Sequence, residues 1–161
     1  MIVISNTSPI VNLAAVGQLG LLQKLYEKVL IPQAVYRELT VAGAGQPGAM
    51  EVQTLVWIES GQVTDRVLVA ALCTEIDEGE AEAIALAVEQ KADLLLLDER
   101  RGRIVASRLK LHFIGLLGVL VEAKHKGYIS AIKPLLDDLI VKAGFWVSRR
   151  LYAHVLQVAG E

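Results

Sequence analysis

Short runs of apolar residues alternate along this chain with longer segments of helical periodicity. This alternation is typical of strands separated by helices. The apolar runs, many of them β-branched, predict five buried strands at about 1–5, 29–31, 56–58, 94–97 and 111–114. Helical spacing is clearest over Glu78–Gln90, where Ala81, Ile84, Ala85 and Val88 form one apolar stripe.

The same pattern, with capping residues and prolines, predicts the other helices. Thr7 or Ser8 can cap the first one, which ends near Gly17. The others are predicted at 19–26, 33–41, 99–109, 116–126, 130–142 and 148–158, with a further helix after the breaker-rich loop 43–48. Residues 66–73 fit a helix or a strand equally well.

Strands that alternate with helices indicate an α/β fold, with a parallel sheet covered on both faces and right-handed crossovers. No linker, repeat or low-complexity tract interrupts the chain, so we predict one domain over residues 1–161. Its last helices, over about 130–158, would form a cap or an oligomer surface.

Composition and charge limit the function. The net charge is −2 with a pI near 5.9, so binding to phosphates requires a local patch or a bound metal ion. The single cysteine, Cys73, cannot form an internal disulfide, and we expect it to be buried in a cytoplasmic protein. The longest apolar stretch, 113–121, falls short of the roughly 18 residues of a membrane helix, and no secretory signal is visible.

Four oxygen-bearing side chains are placed where they could meet. Asn6 and Asp98 follow predicted strands, and ligands of open α/β sheets bind beyond the carboxyl ends of the strands. Glu38 and Glu80 lie on helices that could add ligands beside them. Clustered acids repel one another unless a cation joins them, and such oxygen ligands suit Mg²⁺ or Mn²⁺. Taken singly, each residue could instead cap a helix or face solvent.

Four segments together resemble the PIN-domain family, in the right order and spacing. They read IVISNTSPI at 2–10, IPQAVYREL at 31–39, DEGEAEAIALA at 77–87 and LLLLDERRGR at 94–103. The resemblance covers about 1–125 and implies a PIN-like three-layer α/β/α sandwich with a mainly parallel central sheet. It also implies a Mg²⁺- or Mn²⁺-dependent ribonuclease, often the toxin of a toxin–antitoxin pair, with RNA, a small antitoxin protein and a second copy in a homodimer as partners.

The resemblance also assigns candidate site residues. Glu38, Glu80 and Asp98 match the catalytic acids, and Asn6 completes the metal ligands. The candidate substrate contacts near them are Thr7, Ser8, Arg100, Arg101 and Arg103. For Thr7 and Ser8 the alternative is helix capping, and for the arginines it is a solvated helix face.

Asn6 departs from the family pattern, which usually has Asp at this position. An amide keeps a carbonyl oxygen for a hard cation but removes one negative charge, which predicts weaker metal binding. Glu82 and Glu99 could compensate, although neither is predicted to point at the site. The sequence therefore supports two hypotheses: a metal-dependent endoribonuclease, or a catalytically impaired PIN fold that binds RNA or protein. A small-molecule-binding module is a third class for which no motif is present.

Overall fold

Five parallel strands form one central sheet in the computed structural model, which describes all 161 residues. The strands are β1 (Val3–Ser5), β2 (Val29–Pro32), β3 (Ile58–Gly61), β4 (Leu94–Leu96) and β5 (Phe113–Ile114). Their order across the sheet is β3-β2-β1-β4-β5, and every pairing is parallel. The predicted parallel sheet is therefore confirmed.

Ten α-helices connect and cover these strands. They are α1 (Thr7–Ala15), α2 (Gly20–Tyr26), α3 (Gln33–Arg37), α4 (Ala49–Thr54), α5 (Arg66–Leu72), α6 (Glu78–Gln90), α7 (Arg100–Arg108), α8 (Leu116–His125), α9 (Lys133–Lys142) and α10 (Arg149–Val158). A π-helical turn, Glu38–Ala42, continues α3. None of these helices combines the length and the apolar character that a membrane crossing requires.

The core has two halves, one on each face of the sheet. Successive strand residues point to opposite faces, so Val3 packs in one half and Ile4 in the other. Leu96 of β4 joins the half formed largely by α1, α2, α8 and α9. Leu95 joins the half formed with α5, α6 and α7. Helices on both faces make this a three-layer α/β/α arrangement, as the sequence predicted.

Two predicted elements differ from those observed. The strand predicted at 56–58 is β3 at Ile58–Gly61, because its position is set by register with β2, from Val29 opposite Ile58 to Pro32 opposite Gly61. Because β3 is an edge strand, it contains polar residues, and a prediction based on apolar runs did not include them. The helix predicted at 33–41 changes to π geometry at Glu38, where the Gly43 N–H donates to the Glu38 carbonyl at 2.8 Å.

Residues 66–73, which the sequence left open, form helix α5. Asp65 caps it by accepting a hydrogen bond from the Leu68 N–H at 3.0 Å. Val69 and Leu72 lie three positions apart and are both buried against α6. Cys73 follows the helix and is exposed, so the expected buried thiol was wrong. The reason is that α5 ends at Leu72, which turns the next side chain out of the core.

Candidate active site

The crevice of this sheet lies where the strand order reverses. β1 pairs with β2 on one side and with β4 on the other, with Ser5 in register with Leu96. The connections that follow β1 and β4 run in opposite directions along the sheet. The two segments therefore diverge and leave a cleft at the carboxyl edge of the strands. Asn6 follows β1, and Asp98 and Glu99 follow β4. The two strands that precede Asn6 and Asp98 are therefore neighbours in the sheet.

Asn6 occupies the cap position of α1 but does not cap it. Its backbone N–H donates to the Leu96 carbonyl at 3.0 Å, which ties the turn to β4. Its side chain makes no bond to the first turn of α1. Instead Nδ2 donates to Oε2 of Glu99 at 3.2 Å. The structural alternative, an asparagine kept to begin a helix, is therefore not what this side chain does.

Glu38 begins the π-helical turn and faces the start of α1. Thr7 Oγ1 donates to Glu38 Oε2 at 2.6 Å, so this threonine positions a carboxylate rather than capping the helix. Burial raises the pKa of Glu38, the Thr7 hydrogen bond opposes that shift, and Asp77, Glu78 and Glu99 add to it. The carboxylate lies over Gly79, where a Cβ would collide with Oε1. Gly79 thus provides the space that Glu38 occupies.

Glu80 lies in the first turn of α6, which Asp77 caps by accepting the Glu80 N–H at 2.8 Å. Glu80 is only 6% exposed. Burial, reinforced by the negative charges of Asp77, Glu99 and Glu38, raises its pKa to about 7. A carboxylate destabilised by its acidic neighbours is typical of functional sites that gain a cation or a proton.

Asp98 follows the same strand but its carboxylate takes another direction. Oδ1 accepts the Leu116 N–H at 2.9 Å at the start of α8 and lies 3.7 Å from Nη2 of Arg103. Burial raises the pKa of Asp98, which the hydrogen bond from Leu116 opposes. Oδ2 of Asp98 and Oγ of Ser8 are both buried without a hydrogen bond of good geometry, although the Ser8 hydroxyl is close enough to lower the pKa of Asp98. Asp98 therefore accepts a hydrogen bond from the start of α8, whereas Glu99 is the acid of this pair that contacts Asn6.

The three candidate arginines fall into two groups. Arg100 and Arg101 are exposed, form no ion pair and line the cleft next to Glu80 and Glu99. Arg103 is held in place, since its Nε donates to the Leu97 carbonyl at 2.9 Å and its guanidinium lies 5.5 Å from the Phe113 ring centre. Arg100 and Arg101 are therefore available to a ligand of this cleft, whereas Arg103 is held against Leu97 and Phe113 and does not line it.

Glu82 is a buried structural acid. Its side chain accepts the Ala34 N–H at 2.9 Å and pairs with Arg66 at 2.9 Å. The apolar stripe predicted for α6 does not include Glu82, yet Glu82 is buried because residues Gly79 to Ala87 of that helix are all buried. The helix is enclosed by α3, α5, α7 and the sheet rather than packed on one side only. Its carboxylate ties α6 to α3 and α5.

Glu80, Glu99, Arg100 and Arg101 border an open cleft of about 560 Å³. Its walls are the α5–α6 connection, including Cys73, and the start of α7. Asp77 also lines it, so three acids and two arginines share this cleft. Sequence reasoning undervalued Glu99, and the signal that could have found it is its position beside Asp98, directly after the strand that neighbours β1.

The chemistry of this donor set fits a hard divalent cation. Glu38, Glu80, Glu99 and Asn6 offer only oxygen ligands apart from the amide nitrogen. A cation would offset the burial and the repulsion that together raise the pKa values of Glu38 and Glu80. No three acidic, histidine or cysteine side chains, however, are arranged closely enough to ligate one ion. Binding would therefore require the carboxylates to turn toward one another.

A five-stranded parallel sheet flanked by helices is consistent with the PIN-like fold that the resemblance implies. A family model described as a PIN domain matches residues 2–161. The chain belongs to the PIN-domain family. PIN domains form a nuclease family, generally depend on divalent metal ions and generally bind RNA. The match extends through α9 and α10, beyond the motif-bearing segment of about 1–125. A search of curated proteins found no match.

Proposed function

We propose that this PIN domain is a metal-dependent endoribonuclease that cleaves phosphodiester bonds of RNA. The observation that carries the proposal is the placement of Glu38 and Glu80 close to Glu99 and Asn6, where burial and neighbouring negative charges raise the pKa of both glutamates. Such acids are costly to hold together without a compensating charge. Exposed arginines at the same cleft provide the contact that an anionic strand requires.

Glu38, Glu80 and Glu99, with the carbonyl oxygen of Asn6, are the side chains that would hold the ion. When bound, Mg²⁺ or Mn²⁺ supplies an acidified water and neutralises charge on the phosphate. This set differs by one residue from the sequence-based set of Asn6, Glu38, Glu80 and Asp98. Oδ1 of Asp98 is engaged by the Leu116 N–H, so only its unpartnered Oδ2 could join the set.

The remaining chemistry belongs to residues of the chain. Thr7 orients the Glu38 carboxylate through its 2.6 Å hydrogen bond. Glu80, with a pKa of about 7, can hold or release a proton near neutral pH. Arg100 and Arg101 would bind the phosphates that flank the cleaved bond, which keeps the strand beside the acids.

A second candidate function is RNA or protein binding without cleavage. Two observations favour it: Asn6 lacks a negative charge and donates its amide to Glu99, and no three acids converge on one point. Both would reduce metal affinity. In that case the fold and the arginine-lined cleft would remain, and the catalytic step would be lost.

The finer biological role rests on the family resemblance. We propose that the protein acts in the cytoplasm as the toxin of a toxin–antitoxin pair, as a homodimer inhibited by a small antitoxin that covers the cleft. Sedimentation of the purified chain tests the dimer. Induced expression with and without a candidate antitoxin tests growth inhibition and its relief.

The experiment that tests the enzyme is cleavage of labelled single-stranded and hairpin RNAs in Mn²⁺, in Mg²⁺ and in EDTA. Glu80→Gln and Glu99→Gln are compared with wild type and with Glu59→Gln, which removes an exposed charge on β3. We expect cleavage that needs the metal, survives in Glu59→Gln and is lost in the other two. Equal cleavage by all variants would indicate a contaminating nuclease. No cleavage by wild type, with RNA still bound, would favour the binding module.

A further inference from the structure

A second cavity opens at the same edge of the sheet, between the start of α8 and helix α10. It measures about 490 Å³, within the range of small-ligand sites, roughly 300–1,000 Å³. Asp98, Arg103 and Gly115 form its polar side, and the segment before α10 closes the other side with Phe145 and Trp146. Because Asp98 directly precedes Glu99, this cavity and the acidic cleft lie on either side of one chain segment.

Trp146 is unusual among the aromatic side chains of this protein. It is 82% exposed, whereas the other tryptophan, Trp57, is 8% exposed and belongs to the core. An indole left in water loses the burial that would stabilise it, and its flat face is available for stacking. A large exposed aromatic group at a cavity mouth therefore points to a ligand with a planar face.

The unpaired arginines mark the same region. Arg37, Arg66, Arg103 and Arg108 form ion pairs, but Arg100, Arg101, Arg149 and Arg150 form none. Two of these free residues line the acidic cleft. The other two, both exposed, begin α10 three and four positions after Trp146. In a chain of net charge −2, free guanidinium groups thus flank both openings.

A planar aromatic face beside free arginines suits one class of ligand. Single-stranded nucleic acid combines stackable bases with a phosphate every nucleotide, and proteins bind it by placing aromatic side chains along a positively charged track. We infer that the cavity between α8 and α10 is a subsite for an unpaired RNA base, which stacks on Trp146 while Arg149 and Arg150 contact its neighbouring phosphates. This inference rests on the proposed function, and it defines the substrate as single-stranded near the cleaved bond.

The test measures binding of a labelled 12-nucleotide single-stranded RNA in EDTA, where the proposed nuclease cannot act. We expect Trp146→Ala to weaken binding by roughly 5- to 150-fold, the usual effect of losing one stacked base, and Trp146→Phe to retain most of the affinity. Since Trp57 is buried, RNA should quench the emission of Trp146 selectively. An equally long duplex should neither quench it nor discriminate between the variants.

A charge-matched pair isolates the arginines. Arg149→Gln with Arg150→Gln should weaken binding and reduce the slope of log Kd against log salt by about 1.4, or about 0.7 for each lost phosphate contact. Lys24→Gln with Lys110→Gln removes the same charge from two other exposed residues without ion pairs, and should change the slope much less. Equal effects of the two pairs would overturn the subsite.

Two further outcomes would also overturn it. Unchanged RNA affinity in Trp146→Ala would do so directly. Loss of self-association in Trp146→Ala, with RNA affinity retained, would assign the surface to a second copy of the chain instead. The proposed function can fail separately from the subsite. If RNA binding depends on Trp146 but no metal-dependent cleavage is found, the subsite stands and the nuclease proposal is wrong.

Discussion

Asn6 Nδ2 donates a 3.2 Å hydrogen bond to Oε2 of Glu99, which joins two residues 93 positions apart in the chain. The bond connects the end of β1 to the residue that follows Asp98 after β4. An aspartate at position 6 could not donate it, and two facing carboxylates would repel each other. The neutral amide is therefore compatible with a folded site that has no cation.

Replacing that amide by a carboxylate should convert the site into a stronger metal centre. We expect Asn6→Asp to bind Mn²⁺ at least tenfold more tightly, because one more unit charge near the ion contributes about 1–4 kcal/mol. Without metal the variant should be less stable than wild type. Calorimetric Mn²⁺ titration measures the affinity, and Asn12→Asp on α1 is the control. Unchanged Mn²⁺ affinity would mean that position 6 is not a ligand.

Asp98 and Glu99 should respond differently to loss of charge. Glu99→Gln should weaken Mn²⁺ binding and abolish cleavage, because Glu99 faces the acid cluster. Asp98→Ala should retain most of the Mn²⁺ affinity and lose about 1 kcal/mol of the free energy of unfolding, because it removes the acceptor of the Leu116 N–H at the start of α8. Mn²⁺ titration of both variants measures the metal affinity, and urea unfolding measures the free energy of unfolding. The opposite pattern would return the ligand role to Asp98.

The pKa of Glu80 predicts a pH dependence of stability. Its folded-state pKa is about 7 against an ordinary value of 4.5, so the folded protein binds this proton more tightly than the unfolded chain does. Stability from this group is thus present below its ordinary pKa and lost as pH rises through about 7. In EDTA, the free energy of urea unfolding of wild type, minus that of Glu80→Gln, should fall as pH rises from about 4.5 to about 7. A flat difference would contradict the raised pKa.

Gly79 should matter for activity more than for folding. In Gly79→Ala the new Cβ would collide with Oε1 of Glu38, the mobile end of a side chain, so Glu38 moves and the fold adjusts. We expect at least a tenfold loss of Mn²⁺-dependent cleavage, with the free energy of unfolding changed by less than about 1 kcal/mol. Gly20→Ala is the matched control, since a Cβ there meets nothing within 4 Å. Full activity in Gly79→Ala would show that the position of Glu38 is unimportant.

Glu82 should affect folding rather than chemistry. Glu82→Ala leaves the buried Ala34 N–H without a partner, which costs about 1–3 kcal/mol of the free energy of unfolding. Glu82→Gln keeps an acceptor oxygen and should lose less. Urea unfolding and cleavage of both variants give the comparison. A loss of cleavage in Glu82→Gln without a loss of stability would place Glu82 in the active site.

Much of the fold follows from local patterns in the sequence. Apolar runs such as Leu94-Leu95-Leu96-Leu97 can be buried only between two helical layers, so a parallel sheet was predictable without coordinates. The order of strands and acids along the chain also sufficed to place Asn6 and Asp98 at the same edge. Edge strand β3 was misplaced because its residues are positioned by pairing with β2, and the pattern of one segment does not contain that information.

The sequence by itself determined the α/β class, the family and the residue types available at the crevice, because these depend on hydrophobic period and motif spacing. Only the tertiary structure decided which carboxylates face one another. Asp98 and Glu99 are neighbours in the chain, yet one bonds to the start of α8 and the other to Asn6. Likewise Glu80 and Glu82 share a helix, but one borders the cleft and the other is enclosed in the core. Directions of this kind are set by contacts between distant segments, which a local pattern does not specify.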